Sequence, residues 1–165
     1  MKLGTLQDLL VDELKDLYSA ENQIIKALPK MVKKASAAEL KKAFQEHLEV
    51  TREQAVRLEK VCKMLDVSPK GKKCKAMEGL LEEGKEVMSE DAEPSVMDAA
   101  LIAAAQRVEH YEMAGYGCVR TFAKLLGHDE VAELLQETLD EEAEADQTLT
   151  SLAESVINVE AMQNA

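Results

Sequence analysis

Apolar residues recur at helical spacing along four long stretches of this chain. Each stretch begins near residues that favour a helix start and ends near residues that stop a helix. The pattern predicts four long helices, over about residues 5–34, 36–66, 95–126 and 129–156. A shorter amphipathic helix is predicted over 74–88, and a polar tail from about residue 157. Pro29 lies inside the first helix, where it predicts a kink or an early end near Leu28.

The local sequence supports three of the four long-helix starts. Thr5 and Asp8 resemble a capping box, with Asp in place of the usual Glu or Gln. Ser36 and Glu39 form a complete capping box ahead of the second long helix. Asp129 is placed to cap the fourth. No stretch has the pattern of a strand, so an all-α fold is predicted.

The lengths of the connections predict how these helices are arranged. Short turns join the first long helix to the second and the third to the fourth, so each pair is expected to form an antiparallel hairpin. Residues 67–94 are long enough to cross the bundle between the two hairpins. A four-helix bundle with one long crossover has the ferritin-like connection. We therefore predict a single ferritin-like domain over 1–165, with a short extra helix in the crossover.

Polar residues interrupt the apolar face of every long helix near its midpoint. They are Glu21 in the first helix, His47, Thr51 and Gln54 in the second, Glu109 and Glu112 in the third, and Glu142 and Asp146 in the fourth. Since the midpoints of antiparallel helices come to the same level, five carboxylates and one imidazole are expected to converge in one small volume. Glu13 is left out because it lies roughly 12 Å from Glu21 along the helix axis.

Buried carboxylates need to be neutralised, and three means are available. Basic residues could pair with them, but no Lys or Arg falls on the core side, and Arg57 and Arg120 lie on the flanks. Protonation would require a strongly raised pKa for five acids at once. A bound cation, or a pair of cations, satisfies the whole group. Oxygen ligands with an imidazole suit iron or manganese. The predicted metal ligands are Glu21, His47, Glu109, Glu112, Glu142 and Asp146.

A second group of residues is expected to support this site or to join it: Glu49, Thr51, Gln54, Tyr18 and Tyr116. Glu49 falls on the outer side of its helix unless a π-bulge turns it inward. The tyrosines would donate hydrogen bonds or serve as ordinary packing residues. His47 has the alternative of being a hydrogen-bonded core histidine. His110 points away from the apolar stripe, so we expect it to be structural or solvated.

Composition and charge narrow the classes of partner. A formal net charge of −12 argues against nucleic acid and anionic lipid. No apolar run is long enough for a membrane span, and charges interrupt the amino-terminal stretch before it could act as a signal peptide. The three cysteines form no close-spaced pair, which favours idle thiols in a reducing compartment. A cytoplasmic protein is predicted.

Several blocks of the sequence resemble the bacterial YciE/YciF family, a ferritin-like group. In chain order they are LYSAENQIIKALPKM, FQEHLEVT, CKAMEGLLEEG, DAALIAAAQRVEHYEMAGYG and LLQETLDEEAEAD. They cover nearly the whole chain. The resemblance implies a ferritin-like four-helix bundle with an extra short helix, a homodimer, a di-iron-type centre and an association with stress responses.

The wider group of di-iron carboxylate proteins places one Glu on each of two helices and Glu-x-x-His on each of the other two. Glu21 fits the single-Glu role, and Glu109 with Glu112 resembles the doubled glutamate of rubrerythrin-like sites. The second and fourth helices depart from the pattern, since neither offers Glu-x-x-His.

Three functions remain open at this stage. The first is a di-iron or di-manganese protein, with two ions per subunit, that performs iron, oxygen or peroxide chemistry as an oxidoreductase. The second is a non-catalytic structural or interaction dimer in which the metal only stabilises the bundle. The third is an adaptor that binds a basic partner through the acidic surface of the fourth helix.

Overall fold

The computed structural model describes residues 3–163, and every regular element in that range is helical. The elements are α1 (Leu6–Lys34), α2 (Ala38–Met64), α3 (Lys75–Ser89), α4 (Pro94–Leu125), α5 (Asp129–Leu152), a π-helical turn (Ala153–Ile157) and α6 (Asn158–Gln163). The predictions of an all-α fold, four long helices and one short helix are confirmed. Helical structure continues through Gln163, beyond the predicted end of the fourth helix near residue 156.

The long helices form two hairpins that close into a bundle. Helix α1 packs along α2, and α4 packs along α5. The hairpins meet through contacts of α1 with α4 and of α2 with α5. Helix α3 lies in the long connection and packs against α4 and α1. This is the predicted ferritin-like arrangement with an extra helix in the crossover. No helix within residues 3–163 is long and apolar enough to cross a membrane.

The start of α1 has the predicted capping box. The Asp8 backbone N–H donates to Thr5 Oγ1 at 3.1 Å, and the Thr5 N–H donates to Asp8 Oδ2 at 3.0 Å. The predicted early end near Leu28 is wrong, since α1 continues through Pro29 to Lys34. Leu28 and Met31 are buried on either side of the proline, and their packing stabilises the last turns despite the lost backbone hydrogen bond.

Two other predicted caps are wrong. Helix α2 begins after Ala37 with no side-chain cap of its own, so Ser36 does not form the expected box. Instead the carboxylate of Asp98, from α4, accepts the backbone N–H groups of Ser36 at 2.8 Å and Ala37 at 2.7 Å. These two charge-assisted hydrogen bonds to a buried carboxylate fix the chain directly ahead of α2. At α5 the cap residue is His128, and Asp129 is the first helical residue.

The apolar core consists of two clusters with a polar level between them. Both clusters draw residues from all four long helices. One contains Ile24, Phe44, Leu101 and Leu149 among its members, and the other contains Leu14, Leu58, Val119 and Leu135. Buried polar side chains occupy the level where the two clusters meet, and these side chains form the candidate site.

Candidate metal centre

Four side chains from three helices bring their ligand-type atoms within 4.8 Å of one another: His47, Glu109, Glu112 and Glu142. His47 Nε2 lies 3.3 Å from Glu109 Oε1 and 3.9 Å from Glu142 Oε2. Relative exposure is 2% for Glu109 and 0% for the other two glutamates. The polar level is therefore a closed group of carboxylates with one imidazole at its side.

Glu21 adds the fourth helix to this group. The side chain is fully buried, and the nearby charge of Glu142 raises its pKa. The hydroxyl of the fully buried Tyr116 donates a hydrogen bond to Glu21 Oε1, which leaves Oε2 without a partner. We call Glu21, His47, Glu109, Glu112 and Glu142 the carboxylate cluster.

Hydrogen bonds within the protein do not satisfy this cluster. Every one of its residues has at least one buried polar atom without a hydrogen-bond partner: Glu21 Oε2, His47 Nε2, Glu109 Oε2 and both carboxylate oxygens of Glu112 and of Glu142. No Lys or Arg among residues 3–163 forms an ion pair with it. Because buried charges without partners are costly, the cluster requires either protons or a cation.

The pKa values of the cluster show how strongly it holds protons when no cation is present. Burial, together with the charge of Glu142, raises the pKa of Glu21 from 4.5 to about 8. Burial raises the pKa of Glu109 to about 7, and the charge of Glu21 adds to that effect. The pKa values of Glu112 and Glu142 also lie well above the ordinary range, first through burial and then through neighbouring carboxylates. A cation would replace these protons, so its binding is expected to strengthen as pH rises.

The donor set fits a hard or borderline metal ion. Carboxylate oxygens from four residues and one imidazole nitrogen match the ligands that iron and manganese accept. The unpartnered oxygens are the atoms that would hold an ion, while Tyr116 keeps one oxygen of Glu21 in a hydrogen bond. A zinc or copper site built on thiolates is not suggested, because no cysteine belongs to the cluster.

Asp146 is a predicted ligand that the structure places beside the cluster and not in it. Its Oδ1 accepts a hydrogen bond from Gln106 Nε2 at 3.1 Å and lies 3.2 Å from His110 Nε2. Its charge still reaches Glu109. As expected, His110 is largely exposed, with 64% of its side chain accessible.

The supporting residues predicted around the site divide into two groups. Thr51 and Gln54 are buried next to the cluster, and Thr51 Oγ1 donates to the His47 backbone oxygen at 2.7 Å. Glu49 and Tyr18 do not join the site. Glu49 is exposed, as its helical phase predicts, and pairs with Arg52 at 2.5 Å, because α2 is a regular α-helix with no π-bulge to turn it inward. Tyr18 donates to Glu59 at 2.6 Å and makes no hydrogen bond with the cluster.

One polar network next to the cluster was not predicted. Arg57 Nη1 donates to Thr138 Oγ1 at 2.7 Å and to Glu141 Oε2 at 2.8 Å. Arg57 Nη2 reaches Glu137 at 3.0 Å. Gln54 Nε2 donates to the same Glu141 oxygen at 3.0 Å. Two spacings in the sequence could have indicated this network. Gln54 and Arg57 are three residues apart on α2, and Glu137 and Glu141 are four residues apart on α5, so each pair lies on one face of its helix. The network neutralises Glu141, which directly precedes a cluster residue.

Fold and site together define a ferritin-like helical-bundle protein with a buried carboxylate–histidine cluster. The chain belongs to the family described as a domain of unknown function (DUF892), whose profile matches residues 5–162. It is 45% identical over 166 residues to Protein YciF of Escherichia coli K12, and the alignment covers 100% of both chains. The resemblance to the YciE/YciF family is confirmed.

Solved structures agree with this assignment. The crystal structure of the E. coli stress protein YciF has a TM-score of 0.91, and the match covers 94% of this chain and 99% of that one. YcfI of Rhodopseudomonas palustris, which is provisionally described as a structural protein, is 44% identical with a TM-score of 0.88, covering 90% and 95%. A protein of Xanthomonas campestris pv. campestris at 22% identity, with a TM-score of 0.78 over 97% and 99% of the chains, shares the fold.

Proposed function

We propose that the carboxylate cluster binds iron or manganese, two ions per subunit, and that the protein handles iron, oxygen or peroxide under stress. The observation that carries this proposal is the set of buried carboxylate oxygens without partners on three helices, together with the unpartnered Nε2 of His47 on a fourth. Structural ion pairs do not explain the set, since no Lys or Arg among residues 3–163 pairs with it and the neighbouring Arg57 is occupied by Glu137 and Glu141. A relative that is named a stress protein supports the biological context.

The residues proposed to hold the ions are Glu21, His47, Glu109, Glu112 and Glu142. Iron bound there would supply Lewis acidity and one-electron chemistry toward oxygen or peroxide. Tyr116 orients Glu21 through its hydrogen bond, and the apolar clusters above and below shield Glu21, Glu112 and Glu142 from bulk water. Asp146 is omitted from the proposed set because Gln106 and His110 engage it.

The first experiment is metal analysis of purified protein. We expect bound iron or manganese in the wild type and less of it in Glu112→Ala and Glu142→Ala. The matched control is Glu49→Ala, which removes an exposed carboxylate from α2 and leaves the cluster intact. If the wild type retains no more metal than the two cluster variants after loading with ferrous iron or Mn²⁺, the metal-site proposal is wrong.

The second experiment separates chemistry from binding. Metal-free protein is loaded with ferrous iron without oxygen, and peroxide or oxygen is then admitted. Consumption in proportion to bound iron, faster than for free iron in the same buffer, supports an oxidoreductase function. Oxidation at the buffer rate, with iron bound, contradicts it.

A non-catalytic structural role is the alternative, and one observation favours it. The cluster takes a side chain from each of the four long helices, so a bound ion would join both hairpins at their centre. The description of YcfI as a structural protein points in the same direction. In that case bound metal would raise the thermal midpoint while the loaded protein consumed neither peroxide nor oxygen above background.

We further propose that the protein acts in the cytoplasm as a homodimer. The family resemblance supports the dimer, and the three free cysteines support a reducing compartment. Sedimentation equilibrium tests the dimer, and cell fractionation tests the location. A monomer at micromolar concentration would contradict the first statement.

A further inference from the structure

A cavity of about 240 Å³ lies between α2 and α5 and extends inward to α4. It is open to solvent on the outside. Residues from the three helices line it, among them Glu46, His47, Glu109, Glu141, Glu144 and Ala145. Small and apolar side chains form most of its wall. The volume greatly exceeds the ~10–15 Å³ that one water molecule needs, so the cavity can hold several waters or a hydrated ion.

The inner end of this cavity is part of the carboxylate cluster. His47 and Glu109 line the cavity, and their side chains lie 3.3 Å apart. The His47 side chain is 10% exposed, and its Nε2 has no hydrogen-bond partner. Glu21, Glu112 and Glu142 lie behind these two residues and are fully buried. A solute in the cavity therefore meets His47 and Glu109 before the other three cluster residues.

The outer rim of the cavity is acidic, and the charge of one of its residues, Glu144, is left uncompensated. Glu141 is neutralised by Arg57, and Glu46 has only a surface contact with Lys42 at 3.6 Å. Glu144 is exposed and has no ion pair within residues 3–163. An acidic rim around a cavity with apolar walls attracts cations and raises their local concentration.

We propose that this cavity is the route by which divalent cations reach the carboxylate cluster, with Glu144 and Glu46 attracting the hydrated ion and His47 receiving it at the inner end. The inference rests on the proposed metal-binding function. It gives Glu144 and Glu46 a role in the rate of metal loading, although neither needs to bind the ion at equilibrium. The unpartnered Nε2 of His47 provides the nitrogen that can replace water on the incoming ion.

Filling the cavity is the main test. Ala145→Leu adds bulk to the cavity wall without altering a proposed ligand. Ala27→Leu is the matched control, since Ala27 is equally half-buried and lines a separate cavity between α1 and α3. Metal-free protein is mixed with Mn²⁺, and the loss of the free-ion electron paramagnetic resonance signal is followed in time. We expect Ala145→Leu to load at least about tenfold more slowly than the wild type with the same final stoichiometry, and Ala27→Leu to load at the wild-type rate.

A charge variant keeps the proposal testable if Ala145→Leu folds poorly. Glu144→Gln removes the unpaired rim charge, and Glu82→Gln on α3 makes the same change in net charge far from the rim. We expect Glu144→Gln to slow Mn²⁺ loading about three- to tenfold at low salt and to weaken its salt dependence, while Glu82→Gln does neither.

The outcomes separate the two proposals. Loading at the wild-type rate in both Ala145→Leu and Glu144→Gln, with full stoichiometry, would overturn the access route and leave the metal site standing. A wild type that binds no Mn²⁺ or ferrous iron at equilibrium would overturn both.

Discussion

Glu112 is a carboxylate that the protein buries at a cost. Neither of its oxygens has a hydrogen-bond partner, and Glu21, Glu109 and Glu142 surround it. A residue in that position contributes nothing to the stability of the metal-free chain, because charging it requires desolvation and repulsion by its neighbours. Its presence makes physical sense if a cation occupies the cluster in the working protein.

Replacing Glu112 should therefore have opposite effects with and without metal. In metal-free protein at pH 8, Glu112→Gln should raise the free energy of unfolding by about 1–3 kcal/mol, because an amide of the same shape needs neither a buried charge nor the uptake of a proton on folding. With metal in excess, the same variant should bind less of it and lose the stabilisation that the ion provides. Urea titrations with chelator and with Mn²⁺ measure both. Glu49→Gln is the control, and its change should stay within about 0.5 kcal/mol.

The pH dependence of stability follows from the same carboxylates. The pKa of Glu21 rises from 4.5 to about 8 on folding, and that of Glu109 to about 7. Groups with a raised folded-state pKa stabilise the protein most when both states are protonated, and this contribution is lost as pH rises through the folded-state value. The free energy of unfolding of metal-free protein should thus fall between pH 5 and pH 8. With excess metal the fall should be smaller or reversed, because the ion requires the deprotonated form.

The helical periodicity of the sequence predicted most of the cluster, but it wrongly included Asp146 and missed the contacts of Arg57. Glu21, His47, Glu109, Glu112 and Glu142 were found because a core-facing stripe repeats every 3.6 residues. Asp146 lies on the same stripe as Glu142 but one turn farther, roughly 6 Å along the axis, so it falls outside the group. The sequence predicts the direction of a side chain around its helix axis more reliably than its position along the axis of the bundle. The contacts of Arg57 with Glu137 and Glu141 depend on how two helices rotate against each other, which no single helix specifies.

At the scale of the helix, α4 approaches α1 closely at one glycine. A Cβ atom added to Gly115 would lie 2.7 Å from Leu17 Cδ2, and Leu17 is itself buried at 1% exposure. Gly117, two residues later in the same helix, has nothing within 4 Å of such an atom. Gly115 allows the close approach of the two helices, and Gly117 has no such role.

These two glycines give a matched pair of variants. Gly117→Ala should raise the free energy of unfolding by roughly 0.5–1 kcal/mol, since alanine favours the helix and meets no obstacle. Gly115→Ala gains the same helix preference but must displace Leu17, so its net effect should be a loss of about 1 kcal/mol. Thermal or urea unfolding measures the difference. Equal stabilisation by both would show that α1 and α4 are less tightly packed at this level.

The beginning of α2 depends on a residue from another helix. Asp98→Ala should cost about 1–2 kcal/mol because two backbone N–H groups lose their acceptor. Ser36→Ala should change stability by less than about 0.5 kcal/mol, although a local motif assigned the cap to Ser36. Urea unfolding of the two variants separates the cases. A larger loss of stability for Ser36→Ala than for Asp98→Ala would show that the local capping box forms after all. Capping motifs in a sequence involve residues within about four positions of each other, so they cannot predict a hydrogen bond to a carboxylate about sixty positions away.

For the whole molecule, the polar level divides the apolar core into two clusters, and the carboxylates occupy the plane between them. Topology was predictable because two short turns and one long crossover leave few arrangements for four amphipathic helices. The sequence could predict which polar residues face the central plane. It could not predict how strongly the buried carboxylates repel one another, because that depends on the distances between all four helices.

Metal should act on the stability of the whole bundle. Adding Mn²⁺ or ferrous iron to metal-free protein should raise the thermal midpoint, and the increase should grow with metal concentration, because an ion that binds only the folded state stabilises it by mass action. An ion at 100 times its dissociation constant contributes about 2.7 kcal/mol. Differential scanning calorimetry with and without chelator measures the shift. An unchanged midpoint at millimolar metal would contradict binding at the cluster.

The carboxylate of Asp98 also sets an order of events during synthesis. It accepts the backbone N–H of Ser36 across 62 positions of the chain. The hairpin of α1 and α2 is thus synthesised well before the backbone N–H groups that lead into its second helix have their acceptor. On the ribosome, these groups stay hydrated until the beginning of α4 has left the exit tunnel. The amino-terminal half of the protein completes its fold only with the help of the half that is made later.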